Sequence, residues 1–382
     1  MASDPRQGTR VLHVVRPAVG GMRAHVLQLA TGLRTLGFDS ELACPGDSPL
    51  VHDALEAGVQ VHPVPIVGPL NPLRDLVAVM SLAEVIRERR PALIHAHGSK
   101  AALIARIATV FSLRTPTVVT VHNQVLYPGV SPTMRRIYIT LERWLSRRTS
   151  HIVTVSDALR RELLDGYGLP ATLVTTVHNG LDLDPFLAGG DRDASRKRYG
   201  VPDDAFLFGL AARFAPQKAL DVLVEAAATV LAAEPRAWLI VAGDGPLLET
   251  VKTKARATAV RDRMVFPGFE TDVPGLLAAL DLYVSPAIAE GLGLATIEAM
   301  AAGLAVVGTD VGGTPEVVED GVTGVLVTPG KAFPLAAAIA RLLKDAAGRR
   351  RMGEAGRARS LAEFGETRML ERIACVYAEV LK

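Results

Sequence analysis

Residues 206–221 read F-L-F-G-L-A-A-R-F-A-P-Q-K-A-L-D, and a second apolar run, A-W-L-I-V-A, follows at 237–242. Both runs begin with residues that favour β-strands, and the segment 219–233 between them has the spacing of an amphipathic helix. Two parallel strands need a long crossover connection, usually a helix. This stretch therefore predicts a βαβ unit in an open parallel sheet.

The same alternation of short apolar runs and helical patterns continues over most of the 382 residues. Apolar runs separated by helices are typical of parallel strands that are covered on both faces. Two consecutive sets of such runs predict the α/β class, with two doubly wound, Rossmann-like domains. The predicted strands are 11–15, 40–44, 92–96, 117–121, 151–155 and 173–177 in the first set, and 206–211, 237–242, 264–268, 281–285, 305–308 and 324–327 in the second.

A polar stretch rich in Gly and Asp, G-G-D-R-D-A-S-R-K-R at 189–198, has no helical or strand periodicity. Such a stretch is typical of a connection between domains. We therefore expect one domain at 1–185 and a second at 186–355. The remaining segment, 356–382, has a helical pattern, and we expect it to pack back toward the first domain.

The composition excludes several classes of protein. Hydrophobic residues make up 49% of the chain and charged residues 21%, which fits two well-packed cores. The net charge of +2 and the lack of a basic domain argue against a nucleic-acid partner. Two distant cysteines, Cys44 and Cys375, cannot form a disulfide framework or a thiolate zinc site. No apolar run is long enough to span a membrane, and we expect a cytoplasmic protein.

Ligands of open α/β sheets bind at the carboxyl ends of the strands. One predicted strand end leads into E-G-L-G-L-A-T-I-E at 290–298, where Glu290 lies in a loop and Glu298 lies about one turn into a helix. The amides of such a helix N-terminus attract anions, and glycines let a phosphate approach the backbone. Ionised carboxylates accept hydrogen bonds from sugar hydroxyls. The alternative is an ordinary loop with two solvated glutamates.

Two cations, Arg213 and Lys218, follow the strand at 206–211. At a strand end they could neutralise a diphosphate, with Arg213 as a planar fork and Lys218 as a point charge. The alternative is that both are solvated surface cations. Together with the two glutamates, they are consistent with a nucleoside-diphosphate sugar as ligand.

With these motifs in place, the chain resembles the GT-B-fold, retaining glycosyltransferases of family 4, the large group 1 glycosyltransferases. The resemblance covers nearly the whole chain and includes the E-x7-E motif from Glu290 to Glu298. It implies two Rossmann-like domains that face each other across a cleft. The other matching segments are V-G-G-M-R-A-H (19–25), T-V-H-N (120–123), V-S-D-A-L-R (155–160), H-N-G-L-D (178–182), A-A-R-F-A-P-Q-K-A-L-D (211–221), G-D-G-P-L-L-E (243–249) and V-G-G-T-P-E-V-V-E-D-G-V-T-G (311–324).

The resemblance also implies roles for particular residues. Glu290 would hold hydroxyls of the transferred sugar, Glu298 would hold the ribose, and His122 would assist at the reacting sugar. Arg213 and Lys218 would neutralise the diphosphate. The other implied donor-binding residues are Gly20, Gly21, Gly243, Asp244, Gly245, Gly291, Leu292, Gly293 and Leu294.

Four residues are candidates for the acceptor side: Arg23, His97, Lys100 and Asn123. Arg23 often corresponds to a glutamate in the family, and Asn123 to a glycine, so these two departures bear on the acceptor. Of the two histidines in L-I-H-A-H-G, we expect only one to face the cleft, and His97 is nearer the strand end. A plain packing role for His97 and a solvated position for Lys100 remain open.

Members of the family need no metal, and this chain has no D-x-D at a strand end beside a helix. We therefore expect no metal and no cofactor, since the nucleotide sugar is a substrate. Residues 131–148 form the one basic amphipathic segment, which could contact an anionic membrane at the inner face of the cell. A plain surface helix is the alternative for this segment.

These features predict a glycosyltransferase that moves a sugar from a UDP- or GDP-sugar to an acceptor hydroxyl, with retention of anomeric configuration. The expected setting is cell-surface glycan or glycolipid synthesis. One alternative is a nucleotide-sugar epimerase or hydrolase of the same fold, and another is a non-catalytic protein that binds nucleotide sugars. A nicotinamide-dependent dehydrogenase is disfavoured, because neither sheet opens with G-x-G-x-x-G and a following acidic residue.

Overall fold

A computed structural model describes residues 8–17, 20–68, 71–123 and 131–382. The chain forms two compact units of α/β structure. The first unit comprises Met1–Gly180 and Glu366–Lys382, and the second comprises Leu181–Gly365. The first unit is thus built from two separate parts of the sequence.

The first unit contains one seven-stranded sheet in which every strand pair is parallel. The strand order is β3-β2-β1-β4-β5-β6-β7. The order therefore reverses direction between β1 and β4, which is where doubly wound sheets bind their ligands. The strands are β1 Thr9–Val15, β2 Phe38–Cys44, β3 Gln60–Pro63, β4 Leu93–His97, β5 Thr117–Val121, β6 His151–Thr154 and β7 Val174–Thr176.

Helices cover both faces of this sheet. Successive side chains of each strand point to opposite faces. Leu12 and Ile94 pack on helices α3 Pro72–Arg89 and α4 Ser99–Ala108. Val11 and Leu93, one residue away in each strand, pack on helices α1 Gly21–Gly32 and α16 Glu366–Val380. The remaining helices of this unit are α2 Pro49–Glu56, α5 Pro132–Ser146 and α6 Asp157–Arg161.

The second unit has a six-stranded sheet with the order β10-β9-β8-β11-β12-β13, again with parallel pairs only. Its reversal of strand order lies between β8 and β11. The strands are β8 Phe206–Ala211, β9 Ala237–Ala242, β10 Met264–Gly268, β11 Leu282–Ser285, β12 Val306–Thr309 and β13 Gly324–Val327. The helices are α7 Asp184–Ala188, α8 Arg192–Tyr199, α9 Leu220–Ala233, α10 Leu248–Arg256, α11 Val273–Ala279, α12 Leu294–Ala301, α13 Thr314–Val317, α14 Ala332–Lys344 and α15 Ala346–Glu363.

Two doubly wound parallel sheets confirm the predicted fold class. The first sheet has one strand more than predicted, because β3 is a short edge strand that ends in Pro63 and is only half-buried. The change between units falls at Gly180/Leu181, whereas the composition placed a boundary at 185/186. The predicted segment 356–382 is divided, since α15 belongs to the second unit and α16 to the first.

No helix among the described residues is both long enough and apolar enough to cross a membrane.

Candidate active site

The second unit presents two loops at its switch point, one after β8 and one after β11. These strands are neighbours in the sheet, so their carboxyl ends lie side by side. The backbone carbonyl of Gln217 in the first loop accepts hydrogen bonds from the amides of Ile288, at 2.9 Å, and Ala289, at 3.4 Å. The two loops are therefore joined directly by their backbones.

This join brings together two of the residues predicted from the sequence. Lys218 Nζ lies 2.5 Å from Glu290 Oε2, and both side chains are partly exposed. Arg213 in the same loop is exposed. A fixed ammonium, a carboxylate and an accessible guanidinium can together bind a ligand that carries both phosphate and hydroxyl groups.

The amides that follow Glu290 belong to the start of α12. Gly293 caps this helix in the left-handed conformation, with φ of 97°, and no side chain caps it. The amides from Gly291 to Ala295 make no hydrogen bond to any other residue that the structure describes. Unpaired amides at a helix N-terminus are a site for an anion.

Glu298 lies inside α12 and differs from Glu290 in its surroundings. Burial raises the pKa of Glu298 to about 7, because desolvation disfavours the ionised carboxylate. Glu290 is balanced by Lys218, whereas Glu298 has no such cation in its environment. A carboxyl group that is half-protonated near neutral pH can accept hydrogen bonds from ribose hydroxyls, and in its protonated form it can also donate one to them.

The predicted loop Gly243–Gly245 follows β9 and supports the Arg213 loop. The carbonyl of Asp244 accepts a hydrogen bond of 2.9 Å from the amide of Phe214. A Cβ on Gly243 would overlap the carbonyl oxygen of Ala212, so the close backbone approach requires glycine here. The loop thus braces the Arg213 loop, and the donor-binding role that the resemblance implies for it remains a prediction.

Gly312 braces Glu290, and residue-by-residue analysis of the sequence did not single it out. Its φ is +54°, and an added Cβ would overlap the carbonyl oxygen of Glu290. The neighbouring amide of Gly313 donates to the same carbonyl at 3.2 Å. The signal in the sequence was the motif V-G-G-T-P-E, which identifies a turn but not the residue against which it packs.

In the first unit, His97 ends β4 and His122 follows β5, so both lie at the carboxyl edge of the sheet. His97 Nδ1 lies 3.4 Å from His122 Nε2. Burial lowers the pKa of His122 to about 4, and the positive charge of Arg16 adds to this effect. His122 is therefore neutral at pH 7, as a hydrogen-bonding group beside a sugar would be.

His95 and His97 point to the same face of the sheet, and it is depth, not orientation, that separates them. Residues two positions apart in a strand share a face, and the two rings lie 4.2 Å apart between centroids. They differ in depth, because His95 contacts Tyr377 of α16 and Thr120 of β5, each at 2.6 Å. His97, nearer the end of the strand, is the one beside His122.

Two of the acceptor-side candidates in the first unit form ion pairs with neighbouring helices. Arg23 of α1 forms an ion pair with Asp53 of α2 at 2.5 Å. Lys100 of α4 is buried and forms one with Asp75 of α3, also at 2.5 Å. The remaining predicted residues of this edge, Gly20, Gly21 and Asn123, are exposed.

Two protein-family models match the sequence of this chain. Residues 191–359 match the family model described as glycosyl transferases group 1, and residues 19–185 match the model of glycosyltransferase family 4. Together the two matches cover most of both units.

Individual proteins with similar sequences are also named as glycosyltransferases. A UDP-Gal:α-D-GlcNAc-diphosphoundecaprenol α-1,3-galactosyltransferase of Escherichia coli is 25% identical, over 83% of this chain and 84% of its own. A D-inositol 3-phosphate glycosyltransferase of Mycobacterium bovis is 29% identical, over 100% of this chain and 84% of its own. Anabaena HepE, solved with UDP and glucose, is similar in fold with a TM-score of 0.83, 24% identity and coverage of 97% and 100%. This chain belongs to the group 1 glycosyltransferases of family 4 and has their GT-B fold.

Proposed function

We propose that this glycosyltransferase takes its sugar from a nucleoside-diphosphate sugar. The observation that carries the proposal is the pair Lys218–Glu290 beside the unpaired amides of Gly291 to Ala295. Lys218 and the helix N-terminus suit the diphosphate, and Glu290 suits the hydroxyls of the attached sugar. Glu298, deeper in the helix, suits the ribose.

In the proposed reaction, the bond between the anomeric carbon and the diphosphate oxygen breaks, and a bond to the acceptor oxygen forms. The diphosphate leaves with the bonding electron pair, and the proton of the acceptor hydroxyl passes to the departing diphosphate oxygen or to solvent. Lys218, Arg213 and the amides of α12 stabilise the charge that grows on the diphosphate. The neutral imidazole of His122 is proposed to hydrogen-bond the transferred sugar. No metal is proposed for these steps.

The proposal includes retention of anomeric configuration, which rests on the family resemblance. The anomeric configuration of the product, read by the proton coupling constant in an NMR spectrum, tests this point directly. A product of opposite configuration to the donor would contradict it.

The donor is proposed to be a UDP-sugar in the first place and a GDP-sugar in the second. Anabaena HepE was solved with UDP, and the E. coli relative is named for UDP-Gal. Thermal shift with a panel of UDP-, GDP- and ADP-sugars tests the choice. A specific donor at 100 times its Kd should stabilise the protein by about 2.7 kcal/mol, and a flat panel would contradict the proposal.

A transferase and its rivals differ in their need for an acceptor. We propose an acceptor used in cell-surface glycan or glycolipid synthesis, since the E. coli relative is named for a diphosphoundecaprenol-linked sugar. The assay compares donor consumption with and without such lipid-linked or soluble sugar acceptors. Free sugar or an isomer formed without any acceptor would favour a hydrolase or epimerase, and binding without turnover would favour a non-catalytic role.

We further propose that α5 contacts an anionic membrane at the cytoplasmic face. The helix carries Arg135, Arg136 and Arg143, and it exposes Ile137 at 50% and Trp144 at 48%. Cosedimentation with vesicles tests this contact, and anionic vesicles should retain more protein than neutral ones. The double variant Ile137→Ser/Trp144→Ser should lose this preference, and retention equal to that of the wild type would contradict the contact.

A further inference from the structure

The first unit contains a cluster of five buried histidines, which lie on one face of its sheet and on the helix that covers this face. Their positions follow from strand periodicity, because alternate residues of β1, β4 and β5 point to the face that carries α1 and α16. Four imidazoles that lie in or directly after these three strands therefore meet one from α1. The cluster comprises His13, His25, His95, His97 and His122.

Three members form a chain with a consistent set of tautomers. His97 Nε2 lies 3.1 Å from His13 Nδ1, and His13 Nε2 lies 3.3 Å from Ser40 Oγ. If each imidazole donates toward Ser40, the Nδ1 atom of His97 carries a free lone pair. That atom is the one that lies 3.4 Å from His122 Nε2.

His25 stands apart because its polar atoms are not satisfied. Its side chain is 3% exposed, and neither ring nitrogen has a hydrogen-bond partner among the residues that the structure describes. Its ring lies 5.0 Å from that of His122 and 5.8 Å from that of His97, between centroids. A buried polar group without a partner is costly, so it points to a ligand.

From this geometry we propose that His25, His97 and His122 form a binding site for Zn²⁺ or a similar divalent transition metal. One nitrogen from each ring lies within 4.8 Å of those of the other two. A tetrahedral ion with Zn–N bonds of about 2.0–2.1 Å separates its ligand nitrogens by about 3.3 Å. The distance of 3.4 Å between His97 and His122 matches that separation.

The surroundings favour this set of three over the other close set in the cluster. His97 would bind through Nδ1 while its Nε2 is held by His13, which is the usual support for a ligating histidine. The set of His13, His95 and His97 is also close. There, however, His95 already bonds Tyr377 and Thr120.

Titration of the metal-free full-length chain with Zn²⁺ tests the proposal. Calorimetry at pH 7.5 should show one ion per chain, and Co²⁺ should give the visible bands of a tetrahedral complex. His25→Gln should weaken binding at least tenfold. His151→Gln is the matched control, since His151 is buried in the same unit and bonded to Thr175, and this variant should bind as the wild type does.

A spectroscopic measurement on the wild type tests the site even if the variants fail to fold. The imidazole nitrogens of His25, His97 and His122 should shift in a ¹⁵N NMR spectrum upon addition of Zn²⁺. No binding by the wild type, equal affinity of the wild type and a folded His25→Gln, or shifts confined to other histidines would each overturn the site.

Bound zinc should also inhibit the enzyme, because it would remove His122 from the sugar. This consequence rests on the proposed function, whereas the binding test does not. Zinc that binds at these histidines without changing turnover would contradict the role of His122 alone. Zinc inhibition that persists in His25→Gln would contradict the metal site alone.

Discussion

The two units share one architecture, yet the carboxyl edges of their sheets differ in chemistry. The edge of the second unit holds Arg213, Lys218 and Glu290, and its charges face solvent with unpaired amides beside them. The edge of the first unit holds His97 and His122, which are buried and neutral at pH 7. Two cations of this unit, Arg23 and Lys100, pair with carboxylates of neighbouring helices.

This difference is what one glycosyl transfer would require. In the proposed reaction the leaving diphosphate is anionic and needs fixed positive charge, which Arg213 and Lys218 of the second unit would supply. A sugar or acceptor hydroxyl is neutral and is better held by uncharged groups, which the first unit supplies. The same fold thus offers an ionic edge and a neutral edge, and each can be tested separately.

Lys218→Ala should have the largest effect. Charge grows on the diphosphate as its bond to the sugar breaks, so the ammonium favours the transition state over the ground state. We expect kcat to fall by a factor equivalent to about 2–4 kcal/mol, as for loss of one preorganised donor. Lys254→Ala is the control, because Lys254 pairs with Glu225 in the same unit but on the surface. A change in KM alone for Lys218→Ala would contradict its role.

The pH dependence of stability should reveal the unusual carboxyl of Glu298. Its pKa is about 7 in the folded protein, against 4.5 for a solvated glutamate. Between these values the folded state keeps a proton that the unfolded state has lost, so the unfolding free energy decreases as pH rises from 4.5 to 7. The total contribution is on the order of 2–3 kcal/mol.

Glu298→Gln removes this titration and serves as the comparison. The variant should gain stability relative to the wild type as pH rises, with the full difference above pH 7 and little difference at pH 4.5. Urea unfolding of both proteins across this range measures the effect. Parallel pH profiles for the two proteins would show that Glu298 ionises normally.

The two glutamates should also differ in kinetics. Glu290→Gln should lower kcat, because Glu290 is proposed to hold the sugar that reacts, and the loss should be about 1.5–3 kcal/mol. Glu298→Gln should raise KM with kcat little changed, because ribose contacts are equal in the ground and transition states. Steady-state kinetics with one donor decides between them, and the reverse pattern would exchange the two assignments.

The bracing of Glu290 by Gly312 can be separated from ordinary backbone strain. Gly312 and Gly321 both have positive φ, but only at Gly312 would a Cβ overlap another residue. Gly321→Ala should cost about 1 kcal/mol of stability. Gly312→Ala should cost about 1–3 kcal/mol more, by overpacking, and should reduce turnover as well. Equal thermal destabilisation of the two variants would show that the loop tolerates the displacement.

The smallest expected effect is that of chelation, which should leave the turnover of the zinc-free enzyme unchanged. Arg213, Lys218 and the start of α12 are proposed to neutralise the diphosphate without a metal. Activity is measured before and after excess EDTA. A loss that magnesium or manganese restores would show that the ionic edge of the second unit is incomplete without a cation.

Much of the fold could be predicted from the sequence because parallel strands buried on both faces are continuous apolar runs. The strands Thr117–Val121, Phe206–Ala211 and Ala237–Ala242 lie exactly where those runs do. β3 was missed because Q-V-H-P is short, half-exposed and ends in proline. Such an edge strand forms because it pairs with its neighbour β2, and its own residues carry little strand signal.

The candidate site was predictable where its residues are close in sequence and much less where they are distant. Glu290, Glu298, Arg213 and Lys218 each follow a recognisable strand. The direct pairing of Lys218 with Glu290, by contrast, depends on β8 and β11 being adjacent.

The histidine cluster includes His13, His25 and His122, which come from separate elements. No local spacing in the sequence predicts that they lie together. The only sequence signal for His25 was its place at the end of V-G-G-M-R-A-H. The burial of His25 next to His122 depends on helix α1 covering the strand ends, and this packing is not encoded in any local spacing.

The division of the first unit between Met1–Gly180 and Glu366–Lys382 has a consequence for biogenesis. As the ribosome makes the chain, the second unit, although it comes later in the sequence, is contiguous and is finished first. The first unit must wait for α16, which brings Leu370, Ile373 and Tyr377 to its core. Its histidine cluster lacks the Tyr377 hydroxyl until then. The nascent first unit is therefore the part of this enzyme that most needs protection from aggregation during synthesis.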